Sequence, residues 1–169
     1  MTTLAPMSAA YYARWRETAA ADYAEDNVAA GRWPAEGALE RSRREFDELL
    51  PQGLATPDNF LFEIRDAEGG ASVGSIWFAI VERGSERHAF VYDVVVDPAQ
   101  RRRGHALRAF EALEPRVRAL GLSRIGLHVF GNNPGAQALY RRLGYGVTGI
   151  NMVKQLEAQA EARETLRSH

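Results

Sequence analysis

The chain has 169 residues, 46% hydrophobic and 25% charged, with a formal net charge of −1 and no cysteine. That supplies enough apolar surface for one packed domain over residues 1–169 and argues against a nucleic-acid partner held by bulk charge. The lack of thiols excludes disulfides, cysteine nucleophiles and thiolate metal sites, no apolar run approaches the ~20 residues of a membrane span, and the first residues lack the basic start and apolar core of a secretory signal, so a cytoplasmic protein with no membrane partner is expected.

Residues 1–7 read as a lead-in without regular structure. Ser8 is placed to cap a helix whose buried face is Tyr12, Trp15, Ala19 and Tyr23, and Gly31 marks its end. A second helix is predicted from Pro34 or Ala35. Leu39, Phe46 and Leu49 form its buried stripe, and Pro51 and Gly53 stop it. From Asn59 the period changes to two, with Phe60, Phe62 and Ile64 alternating with Leu61, Glu63 and Arg65. Turns at 66–70 and 83–87 separate this strand from two more, at 73–81 and 89–96, and the three predict an antiparallel meander. Ala106, Leu107, Phe110, Leu113, Val117 and Leu120 then recur at helical spacing, with Gly121 as the expected C-terminal cap. Ile125, Leu127 and Val129 alternate with Gly126, His128 and Phe130 as a fourth strand. The strand–helix–strand order makes it parallel to the third. Pro134 opens a short helix through Leu143, and a last strand is expected near residues 147–155. Residues 157–169 are polar and alanine-rich, a marginal helix or a frayed tail. The fold class is α/β with a mixed sheet: two N-terminal helices, an antiparallel meander, then β-α-β-α-β.

The chemistry gathers where the third strand meets the third helix. Val94, Val95 and Val96 suit a buried strand, which Asp97 and Pro98 end. Arg101-Arg102-Arg103-Gly104-His105-Ala106 follows, at the start of the helix. A helix N-terminus presents unpaired N–H groups and partial positive charge, and a glycine lets backbone approach a ligand closely. Together they form a cradle for an anion, a phosphate above all. The alternative is an arginine-rich loop that is simply solvated.

Arg101-x-x-Gly104-x-Ala106 resembles the acyl-CoA pyrophosphate loop, Gln/Arg-x-x-Gly-x-Gly/Ala, of the GCN5-related N-acetyltransferase (GNAT) superfamily. Asn133-x-x-Ala136-x-x-Leu139-Tyr140-x-x-x-Gly144-Tyr145 resembles the same family's later motif, Asn-x-x-Ala-x-x-Leu-Tyr-x-x-x-Gly-Phe. Both occur in the family's order, within a resemblance covering about residues 58–155. The resemblance implies a GNAT-like fold in which a bulge in the strand before the loop, here at Val94–Val96, splays the parallel strand pair, with acetyl-CoA as co-substrate, no metal, acetyl transfer to a small-molecule or peptide amine, and a homodimer as one possible assembly. It implies that the backbone of Val94, Val95 and Val96 contacts pantetheine, that Arg101, Arg102, Arg103, Gly104, His105 and Ala106 hold the phosphates, and that Asn133 binds the pantetheine arm or caps its helix. Tyr140 falls where the family's general acid sits, and its spacing also suits a tyrosine packed at a helix end.

The base stays open between two residues. His128 lies five residues ahead of Asn133, where some family members carry glutamate. An imidazole titrates in the range proton abstraction needs, although a hydrogen-bonded structural histidine fits as well. Asp93 is a carboxylate inside a valine-rich strand, and a buried carboxylate needs partners. It binds the acceptor's ammonium, takes its proton, orients His128, or pairs with an arginine. Tyr92 is expected on the opposite face. With no cysteine to carry an acyl group, direct attack in a ternary complex is expected. His88, His105, His128 and His169 show no metal-ligand spacing. Two other readings compete: a non-catalytic acyl-CoA sensor, and a nucleotide-binding protein, which would lack the usual glycine-rich phosphate loop.

Overall fold

Alternation in the middle of the chain builds a sheet with two different faces. The computed structural model describes residues 1–67 and 70–157. Among them the strands β1 (Thr2–Pro6), β2 (Asn59–Asp66), β3 (Ser72–Arg83), β4 (Glu86–Val96) and β5 (Ile125–Leu127) lie side by side in that order in one five-stranded sheet. The pairings are antiparallel except the last, where β5 runs parallel to β4. Helices α1 (Ala9–Ala29), α2 (Ala38–Leu49), α3 (His105–Ala119) and α4 (Pro134–Arg142), with short 3-10 turns at Gly53–Ala55 and Pro98–Gln100, complete the described elements.

Period two divides the side chains. Ile64, Ile76, Phe78 and Val91 face α3 and pack on Ala109, Phe110, Leu113 and Val117. Leu61 and Trp77 face α1 and α2 and pack on Trp15, Ala19, Ala20 and Phe46. Trp15 meets Trp77 edge-on, ring centroids 5.7 Å apart. Burying each large apolar side chain of this kind stabilises the fold by roughly 1.5–3 kcal/mol. The helix ends follow local chemistry. Ser8 caps α1, its side chain accepting from the Tyr11 N–H. At the end of α3, Gly121 takes φ +78°, and the N–H groups of Gly121 and Leu122 reach back to the carbonyls of Arg118 and Val117. That left-handed turn is the glycine cap expected at residue 121.

The structure corrects the expectations elsewhere. Residues 1–7 are not a loose lead-in, because β1 adds to the edge of β2, with Thr2 and Leu4 buried. Helix α2 starts at Ala38, after Gly37 in the left-handed region, later than Pro34 or Ala35. Its buried residues are Ala38, Ser42 and Phe46, while Leu39 is exposed. Ser42 replaces the expected apolar residue because its hydroxyl donates to the Ala20 carbonyl at 2.6 Å, tying α2 to α1. The 83–87 turn shrinks to Gly84-Ser85. Strand β5 stops at Leu127, short of Val129. No strand forms at 147–155. The expected helix or tail over 157–169 lies outside the described residues, except Glu157.

Candidate active site

The site begins with one extra residue in β4. Trp77 pairs with Asp93 and Phe78 with Val91, so Tyr92 has no partner of its own on β3. A bulge of this kind bends its strand and puts neighbouring residues on one face. Before it, Ala89 and Val91 face the α3 side; after it, Val94 and Val96 do. Tyr92 and Asp93 both turn to the α1 side. Tyr92 stacks on Trp77 with centroids 4.7 Å apart, and the Asp93 carboxylate accepts from Trp15 Nε1 at 3.0 Å. The expectation that Tyr92 faces away from Asp93 fails because strict alternation is interrupted there. The partner of Asp93 is a tryptophan N–H, rather than an arginine or His128.

The same bulge opens the parallel pair. β5 bonds to β4 only along residues 89–91, opposite Ile125–Leu127. Past that point Val94, Val95 and Val96 pair with β3 on one side and have no β5 ladder on the other. Gly74 on β3 makes room for this course: a Cβ there would sit 2.1 Å from the Val95 carbonyl oxygen.

The loop after β4 leads into α3 through two residues with positive φ. Gly104 takes φ +78° as the residue before α3, and Arg102 also has positive φ, +62°. The first backbone hydrogen bond into the helix is from the Arg108 N–H to the Gly104 carbonyl, so the N–H groups of His105, Ala106 and Leu107 precede it and are the donors a helix start offers to an anion. Arg101 folds back, its Nε donating to the Val96 carbonyl at 3.1 Å, which fixes the loop to the end of β4. Arg103 bonds to Gln100, and Arg102 is exposed. The His105 ring is buried and shares a 3.1 Å hydrogen bond with Thr2 Oγ1, so only its backbone N–H, in the first turn of α3, is left to offer to an anion.

Helix α4 follows the loop after β5 and packs through Tyr140 on Phe110 of α3. Asn133 caps it, its side chain accepting from the Ala136 N–H at 3.1 Å. Gln137 anchors the preceding loop by donating to the carbonyls of Phe130 and Gly131. Tyr140 is half-buried against Phe110, centroids 5.4 Å apart, and Tyr145. Burial raises the Tyr140 phenol above its ordinary range, and the Asp93 charge raises it further. These two residues therefore share one electrostatic environment. Asp93 itself is pushed up to about 6, chiefly by burial and also by the charges of Asp22 and Asp26 on α1, against the Trp15 hydrogen bond. His128 is exposed, stands edge-on to Phe130, and is lowered by partial burial and by the Arg32 cation. Sequence reasoning missed Trp15 as a polar partner and Gln137 altogether. The first announces itself only as an aromatic at helical spacing, and the second carried no motif signal.

A bulge that parts two parallel strands, beside a glycine-led helix N-terminus and a tyrosine on the next helix, stands in the order that the resemblance to the acyl-CoA-using transferases implies. Residues 13–145 match the acetyltransferase (GNAT) family, and the chain belongs to that acetyl-CoA-dependent N-acetyltransferase family. It is similar to two uncharacterised N-acetyltransferases of Bacillus subtilis. YycN is 33% identical over 90% of this chain and 97% of its own length, and YdgE is 30% identical over 91% and 98%. The crystal structure of YycN superposes with a TM-score of 0.87, covering 94% of this chain and all of the other. The fold also recurs in the aminoglycoside 6'-N-acetyltransferase AAC(6')-Iy, with a TM-score of 0.59 at 16% identity.

Proposed function

We propose that this protein transfers an acetyl group from acetyl-CoA to a primary amine by direct attack in a ternary complex, within one domain formed by the whole chain. The observation that carries the reading is the bulge at Tyr92, which frees the Val94–Val96 edge and turns Asp93 to the opposite side of the sheet from α3. The residues fit the co-substrate. The diphosphate is held by the N–H groups of His105, Ala106 and Leu107, with the Arg102 and Arg103 side chains adding charge. The pantetheine amides pair with the free backbone of Val94, Val95 and Val96, and Asn133 closes over the arm while capping α4. Arg101 positions the loop through Val96. The thioester supplies an activated acyl carbon and a thiolate leaving group.

Asp93 takes the proton of the acceptor's ammonium. A carboxylate at about 6 is mostly ionised at pH 7 and is a better base than an unperturbed one. The Trp15 N–H fixes its orientation, and Asp22 and Asp26 favour a cationic acceptor nearby. Backbone N–H groups along Val94–Val96 stabilise charge developing on the carbonyl oxygen. Tyr140, kept protonated by its raised pKa, donates to the leaving thiolate. His128, exposed and lowered, lines the acceptor side beside Arg32 and Phe130.

The pH dependence of kcat/KM with acetyl-CoA and a panel of amines tests this assignment. The wild type should gain activity as pH rises through about 6. In Asp93→Asn that limb should vanish and the rate should fall about 10²-fold or more, while His128→Ala should keep the limb. A limb lost in His128→Ala and kept in Asp93→Asn would move the base to His128.

A further inference from the structure

Lysine is almost missing from this chain. Of its 21 lysine and arginine residues one is a lysine, Lys154. The difference is chemical. A guanidinium stays protonated, whereas a deprotonated lysine amine attacks an activated acyl carbon. A chain proposed to use a thioester therefore carries one side-chain amine of its own.

The position of that amine is as particular as its number. Lys154 lies on the stretch after α4, where every residue from Gly146 to Glu157 is exposed. The last backbone hydrogen bond before the stretch runs from the Tyr145 N–H to the Tyr140 carbonyl at 2.9 Å, and among the described residues none holds 146–157 to the rest of the chain. Lys154 has no ion-pair partner among the described residues either. The stretch is anchored beside the candidate site: Tyr145 packs on Tyr140 with ring centroids 5.8 Å apart, and the Tyr140 phenol feels the Asp93 charge. Lys154 is nine residues beyond Tyr145. Extended chain of that length reaches up to ~30 Å, at ~3.3 Å per residue. So short a tether holds the amine at an effective concentration on the order of millimolar. Met152, Val153 and Leu156 around it are 91%, 84% and 81% exposed, and give the stretch apolar surface to bury when it docks.

We propose that Lys154 accepts the acetyl group within its own chain, so that the protein acetylates itself when no other amine is bound. The inference rests on the acetyl transfer proposed above. The Lys154 Nζ attacks the thioester carbonyl carbon, a C–N bond forms, the C–S bond breaks, and CoA leaves as its thiol. The ammonium gives up two protons in becoming an amide N–H. One goes to solvent through Asp93, and the other replaces the proton that Tyr140 gives to the thiolate.

Intact mass after incubation with saturating acetyl-CoA alone reads the modification. The expected result is a gain of one acetyl group, mapped to the peptide that carries Lys154 and lost in Lys154→Arg. Its first-order rate should not change when the protein is diluted. Desulfo-CoA, which has the phosphates and pantetheine without a thioester, should suppress it. No gain at Lys154 overturns the proposal, as does a rate that falls on dilution. A gain that desulfo-CoA leaves intact overturns it too, since the thioester would then be acylating the lysine without the site. Thiol release with a panel of amines, measured on the same preparation, separates this inference from the one beneath it. Release without acetylated Lys154 removes self-acetylation alone, whereas neither release nor CoA binding by calorimetry removes the transferase function as well.

Discussion

Asp93 shows what a single residue can carry. Its carboxyl is pushed up to about 6, above the ordinary carboxylate range. The stabilising contribution of a raised acid is complete below its unfolded pKa and is lost as pH rises through the folded one. At pH 8 folding is therefore less favourable than at pH 3 by an amount on the order of 2–3 kcal/mol from this group. Asp93→Asn, whose amide oxygen can still accept from Trp15, should melt several degrees above the wild type at pH 8 and close to it at pH 4. A variant that melted lower at pH 8 would mean that the charge is stabilised in place. Tyr140→Phe keeps the ring against Phe110 and loses only the hydroxyl. It should lower kcat by about 10²-fold or more while leaving CoA affinity unchanged by titration calorimetry. Undiminished turnover would remove Tyr140 from the reaction and favour the non-catalytic acyl-CoA sensor. Asp93 was legible as an oddity, a charge among valines. Its partner was not, because Trp15 lies 78 positions away and no local pattern links a helix indole to a strand carboxylate.

Among the elements, β4 is the most informative, and its irregularity could not be placed from its residues. Its composition announces a strand, and the resemblance implied a bulge near Val94–Val96, but nothing in Ala89 through Val96 marks Tyr92 as the extra residue. The bulge appears only when β4 is laid against β3 and Tyr92 is left over. By contrast the Ser8 cap, the Gly121 turn and the Pro134 helix start were readable, since each depends on a few adjacent residues. The missed β1 is the opposite case: five residues with weak preference become a strand because β2 offers an edge. Deleting Tyr92 should let β4 and β5 pair further and close the free edge. The expected result is a folded protein whose CoA affinity falls at least tenfold by calorimetry, and unchanged affinity would refute the role given to the bulge. Gly74→Ala tests the same place from behind. Its Cβ would meet the Val95 carbonyl oxygen at 2.1 Å, backbone that must move. A stability loss of about 2 kcal/mol or more in urea unfolding is expected, together with weaker CoA binding.

For the whole molecule, a net charge of −1 conceals an uneven distribution. Arg101, Arg102 and Arg103 stand at the loop before α3, while Asp22 and Asp26 bear on Asp93 from α1. Composition could exclude a broadly basic surface but could not show that the two signs stand on different elements, the loop before α3 and helix α1. The division predicts that Asp22→Asn/Asp26→Asn lowers kcat/KM several-fold for a dicationic amine and much less for a monoamine. The difference should shrink in high salt as the field is screened. Equal losses for both amines would mean that the two carboxylates act only on Asp93.

The N-terminal strand has a practical consequence for protein engineering. Thr2 is bonded to His105, and the Leu4 carbonyl accepts from Arg116, so β1 grips α3 at both ends. Trimming the first six residues, or fusing a bulky affinity tag directly before Thr2, would be felt at the N-terminus of α3, the end proposed to hold the phosphates, through the Thr2–His105 bond. Purification handles placed there report on a loosened enzyme, and a weak CoA affinity measured with one belongs to the handle before it belongs to the protein.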